Sequence, residues 1–132
     1  MSEPRDLAIQ ALYEADQLGF THIPEGPELA GKARRLAEGA LEHRADLDAA
    51  IDEVSDHWRV DRMPVVDRAV LRLALFELRY EPDTPTAVVL SEAVRIAKEF
   101  STEKSGLFVN GVLGALAVRE RPESAQNADR RT

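Results

Sequence analysis

The sequence predicts an all-α protein, a compact bundle of about five to seven helices in one domain. Three observations carry this. Apolar residues recur three and four positions apart along most of the chain, the spacing that builds one face of an α-helix. Neither the alternation of a half-buried strand nor an internal repeat is present. One segment, Val65 to Tyr80, is apolar in nearly every direction around a helix axis, the mark of a helix enclosed by others. A chain of 132 residues, 44% hydrophobic, can support a real core, and with only 5% aromatics that core must be mostly aliphatic.

The first helix is expected from about Pro4 to Leu18. Pro4 suits the first turn, Asp6 suits the positive end, and Leu7, Ala8, Ala11, Leu12, Ala15 and Leu18 form its apolar face. Gly19 ends it, and Phe20 to Gly26 reads as a loop. A second helical region begins near Pro27 and continues to about Trp58, either as one helix or as two with a bend near Arg44. Gly31 and Gly39 weaken it by about 1 kcal/mol each relative to Ala. Asp61 to Pro64 is a break, because the residue before a proline avoids the helical region. The central helix, Val65 to Tyr80, is followed by a turn with two prolines, Glu81 to Pro85. The next helix runs from about Thr86 to Phe100 on Val88, Ala93, Val94, Ile96 and Ala97, and the last from about Ser105 to Arg119. Asn110-Gly111 alone would signal a hairpin. Leu107 to Leu116 keeps helical spacing, however, so Gly111 and Gly114 are expected to admit a neighbouring helix closely. Residues 1–121 form the domain. The tail, 122–132, lacks large apolar residues and is expected to be disordered.

Composition and motifs exclude most chemistry. There is no cysteine, hence no disulfide framework, thiolate metal site or cysteine nucleophile. His43 and His57 stand fourteen residues apart, about 21 Å along a straight helix, too far to share a metal, and His22 stands alone. No phosphate loop, dinucleotide fingerprint or nucleophile elbow occurs, and the 24 carboxylates are spread along helix faces as on a solvated surface. No enzymatic activity, metal or cofactor is expected. The polar start, Met1 to Asp6, does not resemble a signal peptide, and no apolar run approaches the roughly 18 residues of a membrane span, so a soluble cytoplasmic protein is expected. The formal charge of −7 opposes a freestanding nucleic-acid binder. RNA binding therefore needs a local patch, a partner's charge, or both.

Three segments carry information beyond the core. Arg68 and Arg72 share one face of the central helix, with Arg79 two turns on. They either pair with acids such as Asp67 and Glu77 at the bundle rim or join Asp67 in a protein-docking surface. The loop from Phe100 to Phe108 leads into a helix N-terminus, where free N–H groups favour an anion. Ser101, Thr102 and Ser105 add hydroxyls there, and Lys98 and Lys104 add charge. Phe100 and Phe108 either stack on bases or lie in the core behind a helix cap. On the first helix, Arg5 sits near Gln10 and Tyr13, which are three apart and face one way, toward a ligand or as boundary core residues.

The same segments resemble the NusB family. "RDLAIQALYEAD" (Arg5 to Asp16) is similar to its first helix, "VVDRAVLRLALFEL" (Val65 to Leu78) to its central helix, and "VVLSEAVRIAKEFSTEKSGLFVNGVLGAL" (Val88 to Leu116) to its C-terminal signature. The resemblance covers about Arg5 to Leu116 and is weakest between Phe20 and Lys32. It implies two packed helical sub-bundles and a non-enzymatic antitermination factor without cofactor. Such a factor binds single-stranded boxA-type RNA together with NusE, also a small-subunit ribosomal protein. The pair acts with other Nus factors on RNA polymerase to suppress premature termination in ribosomal RNA transcription. It implies an RNA surface at Arg5, Gln10, Tyr13, Lys98, Phe100, Lys104, Ser105 and Phe108, and a NusE surface at Asp67, Arg68 and Arg72. RNA binding is then expected to be steeply salt-dependent. Family members begin with an Arg/Lys-rich segment, of which only Arg5 remains here, beside Glu3; this implies weaker RNA affinity or a start further upstream. A homodimer is compatible with the resemblance. Two other roles fit the same fold: the accessory RNA-binding module of ribosomal RNA cytosine methyltransferases, and a self-associating structural protein. The absence of cysteine argues against the methyltransferase chemistry.

Overall fold

The structure, a computed structural model, describes residues 4–56 and 58–123, and its regular elements there are six α-helices and one 3-10 turn. The helices are α1 (Pro4–Leu18), α2 (Gly31–Glu42), α3 (Arg44–Val54), α4 (Val65–Tyr80), α5 (Thr86–Phe100) and α6 (Glu103–Glu120). The 3-10 turn, Val60–Arg62, buries Val60 and Met63 where the sequence shows only a break before Pro64. Helix α4 packs against every one of the other five. It does so because its apolar residues leave no face for water: Val70, Leu71, Leu73, Ala74 and Leu75 are all at least 98% buried. On one side α1 packs on α2. On the other, α5 and α6 fold back on each other, and α3 bridges α4 and α6.

The second helical region divides in two. The chain turns at His43, whose N–H still reaches Gly39 O while its carbonyl starts α3 by accepting from Leu47 N–H. Helix α2 begins at Gly31 rather than near Pro27, because Gly31 sits at φ +58, outside the right-handed region that a preceding helix would need. Helix α6 begins at Glu103 rather than Ser105, because Thr102 caps it, its Oγ1 accepting from Ser105 N–H at 3.0 Å.

Gly111 and Gly114 do not mediate close helix approach: a Cβ at either would meet no neighbour within 4 Å. That role falls to Gly39, where a Cβ would lie 2.2 Å from the Phe76 ring, so α2 crosses α4 too closely for any side chain there. Of the tail expected to be disordered, residues 124–132 lie outside those described. No described helix is long and apolar enough to cross a membrane.

Arginines tie the bundle together. Arg5 of α1 is 8% exposed and donates from Nε and Nη2 to Glu77 of α4 at 2.8–3.2 Å; Glu77 is 1% exposed. Arg68 donates to Asp16 at 2.6 and 2.9 Å, and Arg72 to Asp48 at 2.7 and 2.9 Å with a longer contact to Asp16. These links join α4 to α1 and α3. Arg121 donates to the Glu77, Leu78 and Glu81 carbonyls and so closes the C-terminal end of α4.

Two outcomes follow for denaturation experiments. Glu77→Leu strands a buried guanidinium and should cost about 3–5 kcal/mol in a urea titration, whereas adding Arg5→Met should recover most of that loss. Burial pushes the Asp16 carboxyl up, but its hydrogen bond with Arg68 and the charges of Arg68, Arg72 and Arg44 outweigh this and hold it below 3.8. A depressed acid stabilises the fold above its unfolded pKa and loses that contribution as pH falls through the folded value. Asp16→Asn should therefore lower the melting temperature at neutral pH, with the gap from wild type closing below about pH 3.8.

Candidate nucleic-acid interface

Three separated stretches of chain meet beside the start of α6. From α1 come Gln10 and Tyr13, one turn apart and both exposed. From α5 come Lys98 and Phe100, the latter at the end of the helix. The short connection supplies Ser101 and Thr102, and α6 supplies Lys104, Ser105 and Phe108. The chain before α4 contributes Trp58, which sequence reasoning passes over. Arg95 of α5 fixes the relation of α1 to α5 by donating to Asp6 at 2.7 Å and also to Glu92 and Glu99. The hydrogen bonds it donates to Asp6 and Glu92 raise its already high pKa further, so it is a permanent cation.

Two neighbouring hollows run across this surface. One, about 520 Å³, is lined by Gln10, Tyr13, Val66 and Phe100, with Asp6 and Glu14 at its edge. The other, about 380 Å³, is lined by Trp58, Asp67, Ser101, Lys104 and Phe108. Val66 and Asp67 are chain neighbours, as are Phe100 and Ser101, so α4 and the end of α5 contribute to both hollows. Tyr13, Trp58 and Phe100 are each 41–44% exposed, while Phe108 is half-buried and meets Trp58 edge-on at 5.3 Å. Of the two phenylalanines, then, Phe100 offers its ring to solvent and Phe108 anchors against the core.

The hydroxyls at the α6 start form a connected group. Ser101 and Ser105 share a hydrogen bond of 2.9 Å, and Thr102 reaches Ser105 Oγ at 3.2 Å. Ser105 is 6% exposed and belongs to the cap more than to the surface. Lys104 is exposed and has no ion pair among the described residues. Lys98 lies 3.9 Å from Glu103, and its stem crosses Gly106 so closely that a Cβ there would come within 2.6 Å.

Arg5 is not part of this surface. Its guanidinium points into the bundle and is held by Glu77, so the cation that the resemblance places against RNA is a structural one here. Arg68 and Arg72 do lie together, but they are paired with Asp16 and Asp48 rather than with Asp67 or Glu77. Neighbouring residues on a helix point about 100° apart, so Asp67 turns away from Arg68 into the second hollow. Burial raises the Asp67 carboxyl above the usual aspartate value, with Ser105 and Ser101 hydroxyls partly offsetting the rise. Among the described residues no group of histidines and acids could hold a metal ion.

This arrangement of exposed rings, hydroxyls and a lone lysine fits a chain of bases better than a small-molecule substrate. The model of the NusB family matches residues 2–118. The transcription antitermination protein NusB of Chloroflexus aggregans is 42% identical, over 95% of this chain and 91% of that protein. Among solved structures, T. maritima NusB superposes with a TM-score of 0.79 at 33% identity, covering 96% of this chain and 99% of that one. A structure of antitermination factors NusB and NusE in complex with dsRNA matches with a TM-score of 0.72 at 30% identity, over 86% of this chain and 92% of its counterpart. With a family model spanning residues 2–118 and relatives matched over most of their length, the chain belongs to the NusB family.

Proposed function

We propose that this protein is a cytoplasmic, non-enzymatic transcription antitermination factor that binds boxA-type single-stranded RNA together with NusE. In this role it acts with other Nus factors on RNA polymerase to suppress premature termination of ribosomal RNA transcripts. The observation that carries the reading is the set of exposed Tyr13, Phe100 and Trp58 rings that line these hollows, with Lys104 and the Ser101–Thr102 hydroxyls in the second. Exposed rings can stack only on bases that are not already paired and stacked, which favours unpaired RNA. The family membership and the NusB–NusE–dsRNA neighbour support RNA as the ligand and NusE as the partner; the preference for unpaired RNA rests on the exposed rings.

Charge sets how the partner enters. The chain carries −7 overall, Arg5 is withdrawn, and Lys98 has Glu103 nearby, so Lys104 is the main phosphate contact at this surface. Each phosphate neutralised on single-stranded RNA contributes only about −0.7 to the salt slope. The protein alone should bind weakly and with a shallow slope. The steep salt dependence then belongs to the complex, in which a basic partner adds phosphate contacts and the two sites share one RNA at high effective concentration. Arg68 and Arg72 remain the proposed NusE flank, while Asp67 faces the second hollow instead. Because both arginines are already paired, that flank would contribute shape and hydrogen-bonding edges more than net charge.

Fluorescence anisotropy with a boxA RNA tests this directly. NusE should strengthen binding and steepen the salt slope. Lys104→Glu should weaken binding several-fold whatever the RNA sequence, with an unchanged melting temperature. Equal affinity of Lys104→Glu and wild type at low salt would remove this face from the interface.

A further inference from the structure

The second hollow contains a group that the RNA-binding reading does not use. Asp67 is 1% exposed, and although the Ser105 and Ser101 hydroxyls lie near its carboxyl, its Oδ1 has no hydrogen-bond partner among the described residues. A buried acceptor without a partner costs free energy on the order of 1–3 kcal/mol, so a folded protein that keeps one has a use for it or a visitor that satisfies it. Its surroundings narrow the visitor. Trp58 and Phe108 form an aromatic wall, Ser101 and Thr102 line the hollow as well, and Lys104 stands at the same opening. An aromatic wall selects a flat ring, a lysine selects a phosphate, and a lone acceptor selects an N–H donor on the ring's edge.

We propose that this hollow receives one unpaired base and that Asp67 reads an amino group on its edge, favouring cytosine over uracil at that position. The proposal rests on the RNA-binding reading and adds base choice to it. Cytosine and uracil have nearly the same shape and differ at C4, where cytosine carries an amino donor and uracil a carbonyl acceptor. A carboxylate oxygen accepts from the first and is repelled by the second. Asparagine at the same place, able to turn either its oxygen or its nitrogen toward the base, would accept both.

The test compares labelled oligocytidylate and oligouridylate of equal length, by anisotropy, with the full chain and NusE. The wild type should prefer cytosine by about tenfold, the order that one good base-edge pair supplies, and Asp67→Asn should abolish the preference without losing binding. A parallel measurement needs no variant: replacing cytosine by N4,N4-dimethylcytosine, which cannot donate, should reduce wild-type affinity to the uridine level. A cytosine preference that survives in Asp67→Asn overturns the proposal, as does equal affinity for the two oligomers in the wild type; both leave RNA binding itself intact. Failure of both oligomers to bind, with NusE present, overturns the RNA-binding reading and this proposal with it. If Asp67→Asn weakens capture of NusE while the base preference stays the same, Asp67 faces the protein partner and base reading is excluded.

Discussion

A carboxylate buried in the last turn of an apolar helix must be answered from somewhere, and in this protein the answer comes from the first helix. Glu77 lies in α4, the helix that touches all the others, and it is 1% exposed. Left alone it would carry the several-kcal/mol penalty of a desolvated charge. Arg5 meets it with paired hydrogen bonds, and in doing so draws the first turn of α1 against the C-terminal turn of α4. Once α1 is docked there, and held to α5 by Arg95 and Asp6, Gln10 and Tyr13 come to rest beside Phe100. A surface assembled from distant parts of the chain thus depends on an ion pair that is almost wholly buried.

The same economy explains how an acidic protein can present a binding surface for RNA. Much of its arginine is engaged inside the molecule: Arg5 with Glu77, Arg68 with Asp16, Arg72 with Asp48, Arg79 with Glu120, and Arg121 with the last carbonyls of α4. These planar, multiply hydrogen-bonded contacts join helices, but they remove the cations from the surface. What remains along the two hollows is rings, hydroxyls and Lys104. Stacking tolerates any base, while charge must come largely from elsewhere. A basic ribosomal protein as co-binder fits that deficit.

Periodicity made the helices legible in the sequence, and Val65 to Tyr80 stood out as the central one because its apolar residues surround the axis. The bend at His43 was open to either reading, since the apolar spacing continues through it. Long-range charge pairing was not legible: Asp16 and Asp48 look like any other surface acids until the fold brings them to Arg68 and Arg72, and Arg5 looks like a free N-terminal cation until Glu77 is seen behind it. Gly111 and Gly114 misled for a similar reason, because a glycine in a helix signals a close approach only if another helix is on that side. Trp58 lies between elements, where no period flags it, yet a large ring in a connection before a central helix was a signal that could have been weighed.

Trp58 is the single tryptophan of the chain, and it stands in the wall of the second hollow. Its intrinsic fluorescence, followed while boxA RNA is added to the protein with NusE, tests the central claim most directly. If unpaired bases stack on the exposed rings, Trp58 emission should be quenched along the same curve as RNA binding measured by anisotropy. Saturated RNA binding with unchanged Trp58 emission would place the RNA on another face and contradict the account.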